Sequence, residues 1–382
     1  MWVVVMALAA CDIPVDTEPS SGVALSRVSF AELPGWREGR PADALGAWRR
    51  SCERIMAMDR AAPLGGKVAA GNAGDWRPVC SSIGALSGDP TEMRTFVESN
   101  FVPYAVVSGK TREGLFTGYF EPVIRVSDRA GGSYSVPIHG LPSDHVTIHL
   151  KDFDPALAGR TLVGKLEGGR LRPYPERAVI DSRANLETDT ILYWADDALD
   201  VFILQVQGSG IVELPDGRRQ RIGFAGHNGY DYVSIGRWLI EQNELPVGAA
   251  GWQDIRDWME RNPRRISGLL ALNRRYIFFR TIDGDGAQGA AGVALTPGHS
   301  IAVDREFMPL NVPLWLDTVH PGPGNKRLQR LVLAQDVGNA IRGPVRGDLF
   351  WGVGAEALEL AGRMKSPGTY YILLPIGVTP AA

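Results

Sequence analysis

Two aspartates in the last quarter of the chain lie where carboxylates can act as acids. Asp336 follows the apolar run at residues 331–334 (LVLA), and Asp348 lies twelve residues further on, near the start of a second strand-like segment. A carboxyl group at the edge of an apolar core, close to a second carboxyl group, is expected to have a raised pKa. A raised pKa is the property that a general acid needs near neutral pH. Arg342 and Arg346 would oppose this shift if their side chains point inward.

The same positions also have a purely structural interpretation. Gly338 and Gly343 follow Asp336 closely, and an aspartate in such a segment is often a turn residue whose side chain accepts backbone amide hydrogens. The spacing of these residues by itself leaves both interpretations open.

Further motifs occur upstream in a fixed order. They are residues 117–122 (TGYFEP), 206–210 (VQGSG), 226–229 (GHNG) and 234–236 (SIG), followed by Asp304, Asp336 and Asp348. Together, over roughly residues 115–375, they resemble the membrane-bound lytic murein transglycosylases of the A type, whose C-terminal domain is named 3D after its three aspartates.

The resemblance implies a mainly β fold with peripheral helices. A double-psi β-barrel domain would be interrupted by a second small β-barrel domain, with a cleft between them. We expect residues 31–120 and 277–382 to form the first domain and residues 121–276 to form the insert. The N-terminal helices, one of them at residues 41–60, would belong to the first domain.

The resemblance also implies an activity. Enzymes of this family cleave the β-1,4 bond between N-acetylmuramic acid and N-acetylglucosamine in peptidoglycan and leave a 1,6-anhydromuramic end. By position, Asp336 matches the catalytic aspartate, and Asp304 and Asp348 match its neighbours. The residues that match the substrate-binding positions are Thr117, Tyr119, Gln207, Gly208 and Ser209. The reaction needs neither a cofactor nor a metal ion.

Two other functions remain open on the sequence. One is a conventional peptidoglycan glycoside hydrolase, which needs a second carboxylate, and Asp348 or Glu121 would supply it. The other is a glycan-binding module without catalytic activity. The chemical form of the cleaved ends separates these functions.

The N-terminus resembles a bacterial lipoprotein signal. Residues 1–10 (MWVVVMALAA) are apolar and uncharged, and they end at Cys11. Ten residues are too few to cross a bilayer, which needs about 20. We expect residues 1–11 to be a signal peptide with a lipobox, Cys11 to carry lipid, and residues 12–30 to be a tether. The alternative is a hydrophobic first strand. Lipidation would place the protein in the periplasm on a bacterial membrane, predicted to be the outer one, where family members work with cell-wall synthases.

Cys52 and Cys80 are the two other cysteines. An exported protein meets oxidising conditions, so we expect these two to form a disulfide, with two buried thiols as the alternative.

The remaining patterns concern single elements. Residues 90–100 have helical spacing, and the apolar run at residues 199–205 (LDVFILQ) is predicted to be a strand. His145 and His149 lack further zinc ligands at the usual spacing, and the DGDG sequence at residues 283–286 lacks the ligands of a calcium loop. A net charge of -3 without a basic run argues against nucleic acid as a partner.

Overall fold

The computed structural model describes residues 22–182, 190–284, 286–338 and 340–380. Cys11 and the predicted signal peptide lie outside the described residues. No helix within the described ranges has both the length and the apolar character needed to cross a membrane.

The described residues contain nineteen strands and nine α-helices. In chain order the strands are β1 (Val23–Arg27), β2 (Pro63–Gly65), β3 (Ala69–Asn72), β4 (Phe101–Ser108), β5 (Gly114–Glu121), β6 (Val123–Ser127), β7 (Val136–His139), β8 (His145–His149), β9 (Thr161–Glu167), β10 (Arg170–Pro173), β11 (Ile191–Ala195), β12 (Ser209–Glu213), β13 (Arg219–His227), β14 (Ile277–Ile282), β15 (Ser300–Val303), β16 (Pro313–Val319), β17 (Arg327–Asp336), β18 (Arg346–Val353) and β19 (Lys365–Pro375). The helices are α1 (Leu45–Ala57), α2 (Ala73–Ala85), α3 (Pro90–Asn100), α4 (Arg177–Asp181), α5 (Ala198–Gln207), α6 (Ile235–Glu241), α7 (Trp252–Arg261), α8 (Ile266–Ala271) and α9 (Gly354–Arg363).

Six strands close into a barrel. Their order is β19-β16-β17-β15-β18-β5, and β5 pairs back with β19 to complete the ring. Two of the pairings, β15 with β17 and β18 with β5, are parallel, whereas the others are antiparallel. The predicted mainly β fold with a barrel is confirmed.

The barrel shares its hydrophobic core with the N-terminal helices. Trp48 of α1 and Trp76 of α2 are fully buried against Phe101, with ring centroids 5.2 and 6.1 Å from it. The same cluster continues into barrel residues such as Leu314 and Leu333. The predicted helix at residues 41–60 corresponds to α1, and the one at residues 90–100 corresponds to α3.

The predicted tether differs from the structure at its end. Residues 23–27 form β1, which pairs antiparallel with β4, and Val23 and Leu25 pack against the core. The physical reason is the alternation of the sequence VALSR, whose apolar side chains cover one edge of the sheet. Residues 12–21 lie outside the described residues.

The second sheet has the order β14-β13-β12-β6-β11-β7. A parallel bridge between Gly140, directly after β7, and Phe279 of β14 joins its two ends. Buried side chains such as Ile124, Val212 and Ile222 fill its interior together with Phe279. β14 therefore pairs with the insert, whereas we predicted that residues from 277 onward belong to the first domain. The apolar run of β14 does not reveal which sheet it joins.

The predicted strand at residues 199–205 is wrong, because these residues lie in α5. The Asp197 side chain accepts the amide hydrogen of Asp200 at the start of the helix, and Gly208 ends it with a φ of 81°. Most of the surface of α5 is buried, so its sequence contains no polar stripe. A short apolar sequence without such a stripe is equally compatible with a strand and with a buried helix.

A disulfide joins α1 to α2. Cys52 and Cys80 are bonded, with their Cα atoms 5.0 Å apart and a sequence separation of 28. The bond lies in the same hydrophobic core as Trp48 and Trp76.

We expect that replacing both Cys52 and Cys80 with alanine lowers the free energy of unfolding by about 3–4 kcal/mol, because the bond closes a loop in the unfolded chain. Urea unfolding with and without a reducing agent measures this effect. The wild-type protein in reductant is expected to match the double variant. An unfolding midpoint of the wild type that reductant does not change would contradict the bond.

Candidate active site

Asp336 lies at the C-terminal end of β17, next to β15. Its Oδ1 accepts the backbone amide hydrogens of Ala290 and Val337, each at 2.9 Å. Its Oδ2 accepts the hydroxyl hydrogen of Tyr119 at 2.8 Å. The carboxyl group is thus fixed by three donors that come from three different segments of the chain.

Burial raises the pKa of Asp336 above its ordinary value, while the hydrogen bonds from Ala290, Tyr119 and Val337 act in the opposite direction. The pKa of Tyr119 is raised well above its ordinary value, first by burial and then by the charge of Asp336. Tyr119 therefore keeps its proton and stays a donor. The pKa of Asp336 is therefore raised, as the sequence predicts. A raised pKa favours the protonated form that a general acid requires.

Asp348 and Thr117 face each other across the parallel pair β18 and β5. Thr117 Oγ1 donates to Asp348 Oδ1 at 2.6 Å and accepts a hydrogen from Arg346 Nη2 at 2.9 Å. Burial raises the pKa of Asp348 to about 6, and the charge of Asp336 contributes to the rise. The hydrogen bond from Thr117 and the charge of Arg346 oppose it.

This raised pKa predicts a pH dependence of stability. The folded protein binds more protons than the unfolded chain between the ordinary pKa of an aspartate, 3.8, and about 6, so stability falls as pH rises through this interval. An increase of this size corresponds to at most about 3 kcal/mol.

We expect Asp348→Asn to lose less stability between pH 4 and pH 7 than the wild type does, because asparagine does not ionise. Urea unfolding at several pH values measures the difference. Parallel pH profiles for the two proteins would contradict the assignment. Asp216→Asn, at an exposed hairpin turn, is the matched control.

Asp304 is almost fully buried, and its side chain forms a hydrogen bond with the loop that follows Asp336. Its Oδ2 accepts the amide hydrogen of Gly343 at 2.8 Å, and its Oδ1 accepts that of Glu306 at 3.1 Å. Arg342 lies 3.8 Å from the same carboxylate, so it points to Asp304 and not to Asp336. The contacts of Asp304 fix the backbone next to the site.

Gln207, Gly208 and Ser209 join α5 to β12. Gln207 Oε1 accepts the amide hydrogen of Phe120 at 3.2 Å, so this turn is attached to β5 directly beside Tyr119. Gly208 adopts the left-handed conformation that ends α5, and Ser209 begins β12. The five predicted substrate-binding residues therefore lie on β5 or on the turn bonded to it.

Two groups of the site were not predicted. The first is the amide of Ala290, which lies in the glycine-rich loop between β14 and β15. A side chain at the neighbouring Gly289 would place its Cβ 2.3 Å from the carbonyl oxygen of Gln335, so only glycine allows this approach. The richness of the loop in glycine was the available signal.

The second is the side chain of Gln335, which is fully buried. Its Nε2 donates to Ala47 O and Ser51 Oγ of α1, both at 2.8 Å, and its Oε1 accepts a hydrogen from Ser300 Oγ at 2.6 Å. These contacts fasten the end of β17 to α1 and to β15, and so hold Asp336 in place.

Glu121 is one of the two residues that could supply the second carboxylate of a hydrolase, but its carboxylate forms an ion pair with Arg221. The side chain is 1% exposed, and Arg221 binds both of its oxygens at 3.0–3.2 Å. A carboxylate held in this way is poorly suited to activating water or attacking a sugar. Within the described residues, no group of three or more His, Cys, Asp or Glu side chains is arranged to hold a metal ion.

The insert and the C-terminal barrel segment each match a known protein family. Residues 115–280 match the MltA specific insert domain, and residues 299–374 match the 3D domain. The membrane-bound lytic murein transglycosylase A of Escherichia coli K12 is 33% identical over 266 residues. That alignment covers 68% of this chain and 65% of the relative, so the chain spans about two thirds of its length.

Solved structures agree with this match over more of the chain. MltA from Neisseria gonorrhoeae is 32% identical, with a TM-score of 0.80 and coverage of 94% of both chains. E. coli MltA with bound chitohexaose is 25% identical, with a TM-score of 0.68 and coverage of 94% and 95%. The chain belongs to the membrane-bound lytic murein transglycosylase A family.

Proposed function

We propose that the protein is a lytic transglycosylase of peptidoglycan and that Asp336 is its acid and base. The observation that carries the proposal is the carboxyl group of Asp336, which has a raised pKa and is held by Tyr119 and two backbone amides. The family relationship supports this activity. The E. coli relative that binds chitohexaose supports a glycan as the substrate.

The reaction needs one carboxyl group and no external nucleophile. Protonated Asp336 donates its proton to the oxygen of the bond between N-acetylmuramic acid and N-acetylglucosamine, and the bond from C1 to this oxygen breaks. The C6 hydroxyl of the muramic residue then forms a bond to C1, and Asp336 takes the hydroxyl proton. Asp336 thereby returns to its starting state, and the products are a free N-acetylglucosamine hydroxyl and a 1,6-anhydro ring.

The proposed reaction gains rate because its nucleophile, the C6 hydroxyl, is part of the substrate. Because the C6 hydroxyl already belongs to the substrate, its attack does not require a second molecule to be captured and oriented. Intramolecular positioning of this kind is worth up to about 7–11 kcal/mol in favourable cases. Tyr119 and the amide of Ala290 would keep the carboxyl group oriented while the proton moves.

Asp348 has a supporting role in this proposal. A hydrolase would require a second carboxylate that is ionised and faces a water molecule or the sugar. Asp348 instead accepts the hydroxyl hydrogen of Thr117 on the neighbouring strand, so one of its oxygens is already engaged. Glu121 is bound by Arg221. These contacts favour the transglycosylase over the hydrolase, and the three donors that orient the Asp336 carboxyl group favour an enzyme over a glycan-binding module.

We propose that the glycan strand binds where β5 passes into the insert. Thr117, Tyr119, Gln207, Gly208 and Ser209 are the proposed substrate-binding residues. The hydrogen bond from the Phe120 amide to Gln207 supports this proposal, because it holds the α5–β12 turn beside β5. We also propose a division of the chain into a barrel domain and an insert that includes β14, because β14 pairs with β13 of the insert.

The cellular setting is also proposed. The relatives from Escherichia coli and Vibrio cholerae are named membrane-bound lytic murein transglycosylase A. We propose that lipid on Cys11 anchors the chain to a bacterial membrane, the outer one, and leaves the enzyme in the periplasm. Partnership with cell-wall synthases belongs to the same proposal.

Product analysis tests the proposed activity. Purified peptidoglycan digested with the protein is expected to release fragments with anhydromuramic ends, which mass spectrometry distinguishes from hydrolytic fragments by the absence of one water. Fragments with reducing ends would identify a hydrolase. Binding of the glycan without release of fragments would identify a binding module.

A further inference from the structure

A second concave site lies on the insert, next to the proposed glycan cleft. The cavity has a volume of about 860 Å³ and lies where β7, β11, β13 and β14 meet. Leu141 and Phe224 form its apolar part, and both are exposed, at 43% and 47% of their surface. Ser143, Thr281 and Arg280 add polar groups. Exposed aromatic and aliphatic side chains around polar groups are typical of a ligand site.

A row of paired residues leads from the cleft to this cavity. Ser209 of β12 pairs with Gly223 of β13, and Gly223 pairs with Arg280 of β14. Directly paired residues point to the same side of a sheet, and two strand spacings separate the backbones of Ser209 and Arg280 by about 10 Å. Because Ile222 and Phe279 point into the core of the barrel, this row lies on its outer face.

Gly223, in the middle of the row, has no side chain of its own, and the side chain of Ile282 on β14 lies over it. A Cβ added at Gly223 would lie 2.3 Å from Cδ1 of Ile282, so the structure tolerates only glycine there without a shift. The surface between Ser209 and Arg280 is therefore apolar, and a chain of atoms extending sideways from the proposed cleft would pass over the side chain of Ile282.

Arg280 lies at the far end of the row. Among the described residues, no ion pair or side-chain hydrogen bond involves its guanidinium group, whereas other arginines of the insert, such as Arg125, Arg219 and Arg221, bind carboxylates. A guanidinium group offers paired donors that fit a carboxylate.

We propose that this cavity binds the peptide stem of peptidoglycan, with Arg280 holding a stem carboxylate. This inference rests on the proposed function and adds a substrate feature to it. The sugar rings of the glycan carry no carboxylate apart from the lactyl group, which is amide-linked when a stem is present. Stems project sideways from the strand and end in carboxylates. Phe224 and Leu141 would contact the methyl groups of stem alanines.

The test compares two substrates. One is peptidoglycan glycan with its stems, and the other is the same glycan after an amidase has removed the stems. Arg280→Ala is expected to cleave the stem-bearing glycan at least several-fold more slowly than the wild type. On the denuded glycan the two proteins are expected to be equally active. Arg129→Ala, an exposed arginine of the same barrel outside the cavity, is the matched control and is expected to act like the wild type on both substrates.

The outcomes separate this inference from the proposed function. Equal rates for wild type and Arg280→Ala on both substrates would overturn the stem site. An equal loss on both would overturn it too, because Arg280 would then serve the glycan or its lactyl carboxylate. Absence of anhydro products from the wild type would instead defeat the proposed function.

A binding measurement gives independent evidence. A synthetic stem peptide with a free C-terminal carboxylate is titrated against the full chain, and so is the same peptide with an amidated C-terminus. The wild type is expected to bind the free acid several-fold more tightly, and Arg280→Ala is expected to bind both peptides equally weakly. Equal binding of both peptides by the wild type would overturn the role of Arg280.

Discussion

Asp336→Asn is expected to lower the rate of glycan cleavage by about 10²–10⁴-fold, the contribution of a general acid and base. Asparagine has the shape of aspartate but cannot give up and recover a proton. Its oxygen can still accept the amide hydrogens of Ala290 and Val337, and its Nδ2 can donate to the oxygen of Tyr119. Binding of a glycan fragment and the unfolding midpoint are therefore expected to stay close to those of the wild type.

Asp216→Asn is the control for this experiment, because it makes the same chemical change at an exposed turn of the insert. Single-turnover rates on purified glycan separate the chemical step from binding. A variant that binds glycan normally and still cleaves it at the wild-type rate would contradict the catalytic role of Asp336.

Arg221→Met is expected to lower the free energy of unfolding by about 3–5 kcal/mol, because it leaves the carboxylate of Glu121 buried without a partner. Glu121 is 1% exposed, and Arg221 is its ion-pair partner, joining the end of β5 to β13. Urea unfolding gives the change in free energy.

The double variant Glu121→Gln/Arg221→Met distinguishes a lost ion pair from lost packing. Glutamine carries no charge, so the double variant is expected to regain much of the stability that Arg221→Met loses. Arg219→Met is the control, because Arg219 lies on the same strand as Arg221 and forms a surface ion pair with Glu213 of β12. It is expected to change stability by less than about 1 kcal/mol. A double variant as unstable as Arg221→Met would contradict the explanation.

The candidate site shows how far sequence reasoning reaches. A strand that ends in an aspartate indicates where Asp336 lies, and the order of the motifs identifies the family. The hydrogen-bond partners of Asp336 cannot be predicted in this way, because Tyr119 and Ala290 lie more than 200 and more than 40 residues away in sequence. They meet Asp336 only because β5 closes the barrel and Gly289 lets its loop approach β17.

The fold has similar limits. The helices α1 and α3 follow from apolar spacing, since each has one buried face and one face in water, whereas α2 was not predicted. Apolar spacing does not identify α5 as a helix, because α5 is buried on nearly all sides. It also does not show which sheet β14 joins, because a buried strand has the same apolar sequence in either sheet. Contacts between distant segments decide both cases, and a local pattern does not contain them.

Digestion of peptidoglycan in water enriched in heavy oxygen tests the central claim most directly. If the C6 hydroxyl is the nucleophile, the new muramic ends form without solvent oxygen, and their mass is the same in heavy and ordinary water. Incorporation of one heavy oxygen atom at each new end would show that water attacks C1, and the single-carboxyl mechanism of Asp336 would then be wrong.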